Sequence, residues 1–149
     1  MNNINSLRLW IHKVAINEVL MLMLSPWLIP DIYENTQKKL VNKTCDYLKI
    51  NMQNKLTLKG VADKMGTNRN KLAESFKDEL GIGVFEYLRE ERLEKAKYLL
   101  CNTNTRVQCI ALEVGYAGCA HFSTAYRKKF GVSPAKDRAA CMRVYNEHN

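Results

Sequence analysis

The sequence predicts an all-α chain in which two helix-turn-helix subdomains are joined by a long linker helix, behind an extra N-terminal helical segment. Three observations predict it. The segment Val61-Ala62-Asp63-Lys64-Met65-Gly66 returns as Ile110-Ala111-Leu112-Glu113-Val114-Gly115. Each copy leads into an apolar pair four residues apart, basic residues and a second glycine: Leu72, Phe76-Lys77 and Gly81, then Phe122, Tyr126-Arg127 and Gly131. The offset is 49 residues at the first glycine and 50 at the later landmarks, so one residue is added in the second turn. Apolar residues elsewhere recur every three or four positions, the period of helices, and no segment alternates as a half-buried strand would.

Residues from about 4 to 24 read as the first helix. Its apolar positions, among them Leu7, Trp10, Ile11, Val14, Val19 and Leu22, spread around most of the surface, so it must be buried against something. It either packs on the rest of the domain or forms a docking surface for another domain or a second subunit. Pro26 to Pro30 breaks the chain, and Asp31 with Glu34 resembles a capping pair. Val41, Cys45, Leu48 and Met52 then mark a helix ending near Met52, followed by a polar connector from Asn51 to Lys55.

Thr57 is a fitting N-cap for the helix carrying Leu58, Val61, Ala62 and Met65, and Gly66 ends it. Gly60 near its start is locally inconsistent with a helix. From about Arg69 to Leu80 the buried stripe is Leu72, Phe76 and Leu80, and the opposite face holds Thr67, Asn70, Glu74 and Lys77. The linker helix, about 84–101, buries Phe85, Leu88, Leu93, Ala96, Leu99 and Leu100, with Glu91 and Lys95 spaced for an ion pair. Asn102 to Thr105 is a turn that offers a cap to the next helix. In the second unit Val107, Ile110, Ala111 and Val114 face inward before Gly115, and Phe122, Tyr126 and Phe130 line the helix after it. Ser133 then caps a last helix that opens on Pro134 and runs to about Arg143.

Domains follow from these elements: an N-terminal segment 1–34, a helical domain 35–142 and a tail 143–149. Within the domain the first helix-turn-helix is about 57–81 and the second about 106–131.

The 149 residues carry a formal net charge of +8, which favours polyanionic partners. Five scattered cysteines without a C-x-x-C pair indicate neither a disulfide framework nor a zinc site, and a reducing cytoplasm fits best. His12, His121 and His148 are too sparse for a metal cluster, and neither metal nor cofactor is expected. The apolar run from Val14 to Ile29 contains Asn17-Glu18 and is shorter than the roughly 20 residues a membrane helix needs, so no membrane partner is expected.

Two outward-facing helices on one body suit DNA, because the major groove is about 12 Å wide and admits a helix. A linker of about eighteen residues is roughly 27 Å long, comparable to the roughly 34 Å between successive grooves. One chain then reads an asymmetric site. Arg69, Asn70, Lys71 and Glu74 have the chemistry to read bases in the first groove: Asn for adenine, Arg or Lys for guanine, Glu for cytosine. Cys119, Ala120 and Thr124 offer the second groove apolar contact to thymine methyls and one hydroxyl. Thr67, Lys77, His121, Arg127, Lys128 and Lys129 suit phosphates, which set affinity and register without reading sequence.

Residues 35 to 140 resemble the DNA-binding region of the AraC/XylS family of bacterial transcription regulators. The resemblance rests on Ile110-Ala111, Val114-Gly115-Tyr116, Phe122-Ser123, Tyr126-Arg127-Lys128 and Phe130-Gly131-Val132-Ser133-Pro134, with Tyr87-Leu88, Arg92-Leu93, Ala96 and Leu99-Leu100 similar to the family's linker helix. It implies a promoter-binding regulator, most often an activator that touches RNA polymerase. Gly66-Thr67-Asn68, Lys71-Leu72 and Val84 to Arg89 are similar to the branch that controls siderophore uptake. Glu74 stands where many members have a basic residue, and Asp137 where an aromatic is usual, which alters base preference and local packing respectively. Most members place a sensing domain ahead of this region. Residues 4–29 therefore mark a missing sensing domain or a dimerisation segment, in a fragment, a truncated product or a stand-alone regulator.

Two other functions compete. Some DNA-repair alkyl transferases carry a similar helical module, but their acceptor needs four clustered thiolates, and Cys119 stands alone beside the recognition helix, so no enzyme activity is expected. A non-enzymatic interaction module, dimerising with a full-length regulator through its N-terminal helix, is the alternative.

Overall fold

The structure of the chain is a computed structural model that describes residues 36–147, with side chains as far as 143. The expected helix over 4–24, the cap at Asp31 and Glu34, and His12 and His148 lie outside the described residues. The chain divides into two units between residues 39 and 40, within the first described helix, and the fold below is that of the second. Its described residues are helical, with no strand among them. Helix α1 spans 36–50, α2 Leu58–Met65, α3 Arg69–Leu80, α4 Val84–Asn102, α5 Val107–Glu113, α6 Cys119–Phe130 and α7 Pro134–Glu147.

Two separate cores form, and α4 serves both. Val84 and Leu88 close the first with Val41 and Leu48 of α1, Val61 and Ala62 of α2, and Leu72 and Phe76 of α3. Leu93, Ala96 and Leu100 close the second with Ile110 and Ala111 of α5, Val114, and Phe122 and Tyr126 of α6. The spacing along α4 is four, then five, then three and four residues, and the five-residue step from Leu88 to Leu93 is where the helix turns from one core to the other.

The repeat is reproduced down to its hydrogen bonds. The residue after each turn glycine donates five residues back, Thr67 N to Ala62 O at 3.0 Å and Tyr116 N to Ala111 O at 2.9 Å, which satisfies carbonyls a helix end leaves open. The extra residue lies between glycine and helix cap: Thr67 alone separates Gly66 from Asn68, whereas Tyr116 and Ala117 separate Gly115 from Gly118. Asn68 caps α3 by accepting from Lys71 N at 2.9 Å, while Gly118 leaves α6 without a side-chain cap. Thr57 caps α2 as expected, accepting from Gly60 N at 3.1 Å. A methyl on Gly60 would lie 3.1 Å from that same hydroxyl and crowd the cap.

Several expectations are corrected. Leu80 is 40% and Phe85 43% exposed: Leu80 is the last residue before the Gly81 turn, and Phe85 stands about 100° around α4 from the buried Val84. Tyr87, partly buried, packs against the first core, edge-on to Phe76 at 6.0 Å. Helix α1 ends at residue 50, and Met52 is buried from the turn beyond it. Glu91 pairs with Lys49 of α1 at 3.5 Å rather than with Lys95. The threonines of the 102–105 turn serve α4 and not α5, because Thr103 Oγ1 donates to Leu99 O at 2.7 Å and accepts from Thr105 N at 3.3 Å; α5 opens from Arg106 with no side-chain cap.

The last helix, α7, reaches Glu147, beyond the expected Arg143. It packs on α4, and Cys101 and Cys141 are joined in a disulfide with their Cα atoms 5.3 Å apart. Forty residues separate these cysteines, so no sequence spacing announces the bond, and the expectation of no disulfide is overturned. Cys45, Cys109 and Cys119 are free.

Candidate nucleic-acid interface

Helix α3 turns Leu72, Ser75 and Phe76 into the first core, which leaves Arg69, Asn70, Lys71 and Glu74 exposed along its first half. Their exposure follows from the phase of the buried stripe. Thr67 is half-buried in the turn before the helix. Lys77 is exposed at the other end, and its ammonium donates to Gly81 O at 2.8 Å, beside the negative end of the helix dipole. The helix carries three basic and three acidic residues and has no net charge.

Helix α6 differs. It carries Arg127, Lys128 and Lys129 in its last turn and no acidic residue. Phe122 and Tyr126 are buried, and Tyr116, Phe122, Tyr126 and Phe130 meet one another in sequence, edge-on or tilted, with ring centres 4.6 to 5.6 Å apart. This ladder fixes which way the rest of the helix faces. Ala120, His121, Thr124, Arg127 and Lys128 are exposed. Thr124 donates its hydroxyl to Ala120 O at 3.0 Å and keeps lone pairs for a partner. Cys119 is half-buried, its sulfur 3.9 Å from Ser123 Oγ. Ser123, Thr124, Arg127 and Lys128 line a shallow depression of about 340 Å³.

Lys129, expected at a phosphate, is instead turned against the linker helix. Its ammonium lies 2.9 Å from Glu94 Oε1, pairs with Glu90 Oε2, and donates to Glu90 O at 3.3 Å. Burial alone would lower its pKa, but the two carboxylates outweigh that and hold it above the usual lysine value. Lys129 therefore ties α6 to α4, and Arg127 and Lys128 are the free-standing cations of the last turn.

Sequence reasoning missed Arg92, which lies at the changeover between the cores. Its Nε and Nη2 donate to Met52 O at 2.9 and 2.6 Å, and Nη2 also to Asn54 O at 3.3 Å. The five-residue step in the apolar pattern of α4 was the available signal. A half-buried arginine within that step has two cores to bridge.

A family profile described as a helix-turn-helix domain matches residues 61–140, more than half of the chain. A transcriptional regulator structure from Chromobacterium violaceum, with an AraC-type DNA-binding domain, superimposes with a TM-score of 0.67 at 28% identity, covering 72% of this chain and 96% of that one. The chain belongs to the AraC-type helix-turn-helix family. An uncharacterized helix-turn-helix-type transcriptional regulator of Staphylococcus aureus (strain COL) is 29% identical over 103 residues, covering 66% of this chain and 14% of its own length. The bifunctional transcriptional activator/DNA repair enzyme AdaA of Bacillus subtilis (strain 168) is 35% identical over 98 residues, covering 66% of this chain and 46% of its own length. The chain thus spans less than half the length of these curated relatives. No described helix is long and apolar enough to cross a membrane.

Proposed function

We propose that this AraC-type chain is a sequence-specific, non-enzymatic transcription regulator of double-stranded promoter DNA, acting as an activator alongside RNA polymerase. It sets α3 and α6 in successive major grooves of an asymmetric site. The observation that carries this reading is that two helices related by a 50-residue offset expose polar or cationic faces while burying equivalent apolar ones. Arg69, Asn70, Lys71 and Glu74 read bases in the first groove, where exact hydrogen-bond chemistry matters more than charge. Ala120 and Thr124, with Cys119 at the helix start, give the second groove a milder reading. Thr67, Lys77, His121, Arg127 and Lys128 contact phosphates, with the cations of α6 supplying most of the attraction. Residues 4–29 join the domain to a sensing partner.

Genome-wide footprinting of the bound chain, with affinity followed across a salt series, tests this. The expected result is a non-palindromic site protected over two adjacent major grooves, bound by one chain with a steep salt dependence. A palindromic site occupied by a dimer, or no DNA affinity, overturns it.

A further inference from the structure

We propose that Arg92 is a positioning residue that fixes the register between α3 and α6, and so sets how many base pairs separate the two halves of the DNA site. The proposal rests on the two-groove reading above. Three segments from different parts of the chain meet at this one guanidinium. The first is the connector after α1, whose Met52 carbonyl accepts from both Nε and Nη2 of Arg92 while Asn54 O accepts from Nη2. The second is α4 itself, at the step between Leu88 of the first core and Leu93 of the second. The third is the turn of the second helix-turn-helix. A methyl built on Gly115 would overlap Met52 O and come 2.7 Å from Arg92 Nη2. The turn that launches α6 is therefore pressed directly against a carbonyl of the connector that closes the first core, with Arg92 holding that carbonyl in place.

The ion pairs nearby, Lys49 with Glu91 and Lys129 with Glu90 and Glu94, tie α1 and α6 to the same stretch of α4. They act through long side chains that can follow a small movement. Arg92 differs because its planar fork meets backbone oxygens, which fixes direction as well as distance. A rigid joint matters for DNA: one inserted base pair displaces the far groove by about 3.4 Å and turns it by about 34°, at about 10.5 base pairs per turn. A body locked at Arg92 cannot follow both changes; one with a loosened joint can.

The test uses a duplex selected by the native chain from a random-sequence pool, then variants with one base pair inserted or deleted between its halves, and one with a scrambled half. Native chain should lose about tenfold or more in affinity with each spacing change, and Arg92→Ala should shrink that penalty to about threefold or less. Arg92→Lys, which keeps the charge and loses the fork, should fall between the two and covers the case in which the alanine variant does not fold. An undiminished spacing penalty in both variants, or in the lysine variant where only that folds, overturns the role of Arg92, even if affinity drops evenly on every duplex. A native chain indifferent to scrambling one half overturns the two-groove reading instead.

Discussion

Tyr126 donates a hydrogen bond of 2.6 Å to Asp137, joining the buried face of α6 to the first turn of α7. The Asp137 carboxylate thereby anchors α7 to the buried face of α6 by a polar contact. Tyr126 is fully buried, and its hydroxyl has lost water as a partner. Asp137→Ala should destabilise the chain by about 1–3 kcal/mol, the cost of stranding a buried hydroxyl, read from denaturant unfolding.

The same pair predicts a pH dependence. Burial first, then the Asp137 carboxylate, pushes the Tyr126 hydroxyl well above its ordinary value of 10.0. The folded chain thus keeps a proton that the unfolded chain loses, so this contribution to stability is complete below pH 10 and declines as pH rises above it. Thermal unfolding should show Tm falling through that alkaline range, and Tyr126→Phe should blunt the fall. Tyr87, raised chiefly by burial and then by Cys45 and Glu91, adds in the same direction.

The two turn glycines should not tolerate alanine equally. Gly66 and Gly115 both adopt left-handed backbone, at φ of 71° and 88°, but a methyl on Gly66 meets nothing within 4 Å. Gly66→Ala should cost about 1–2 kcal/mol, the price of the left-handed conformation. Gly115→Ala adds an overlap with the Met52 carbonyl and crowding of Arg92, and should cost more than about 3 kcal/mol. Equal losses in urea unfolding would show that the second turn is not pressed against the Met52 carbonyl.

Three substitutions separate reading from attraction. Asn70→Ala should relax base preference in one half of the site, by about 1–3 kcal/mol of discrimination. Arg127→Ala should weaken binding on all sequences and reduce the salt slope by about one. Lys129→Ala should leave the salt slope unchanged, because Glu90 and Glu94 already neutralise that ammonium. Binding isotherms across a salt series and a panel of single-base variants check all three.

Reduction of Cys101–Cys141 should lower stability by roughly 2–4 kcal/mol, because the bond closes a long loop in the unfolded chain. Cys101→Ser should match the reduced protein and become insensitive to reductant. Calorimetry with and without reductant makes the comparison, and an oxidised chain no more stable than the serine variant would count against it.

Much of the fold was legible in the residues because helices are local objects. The 3.6-residue period placed α3 at about Arg69 to Leu80, where the helix lies, and the turn glycines and Thr57 set its neighbours, since caps and left-handed turns depend on a few adjacent residues. The outward faces of α3 and α6 follow from the same phase, so the exposed candidates there needed no tertiary knowledge. The sequence by itself determined two helix-turn-helix units, their linker and most of the residues turned outward. Only the tertiary structure decided that Lys129 belongs to Glu90 and Glu94, that Cys101 reaches Cys141, that Asp137 serves Tyr126, and that Arg92 bolts Met52 beneath Gly115. These pairs lie from 11 to 40 residues apart, except that Gly115 lies still farther from Met52. Whether such groups meet depends on how two cores stack along α4, a property of packing that no local period encodes.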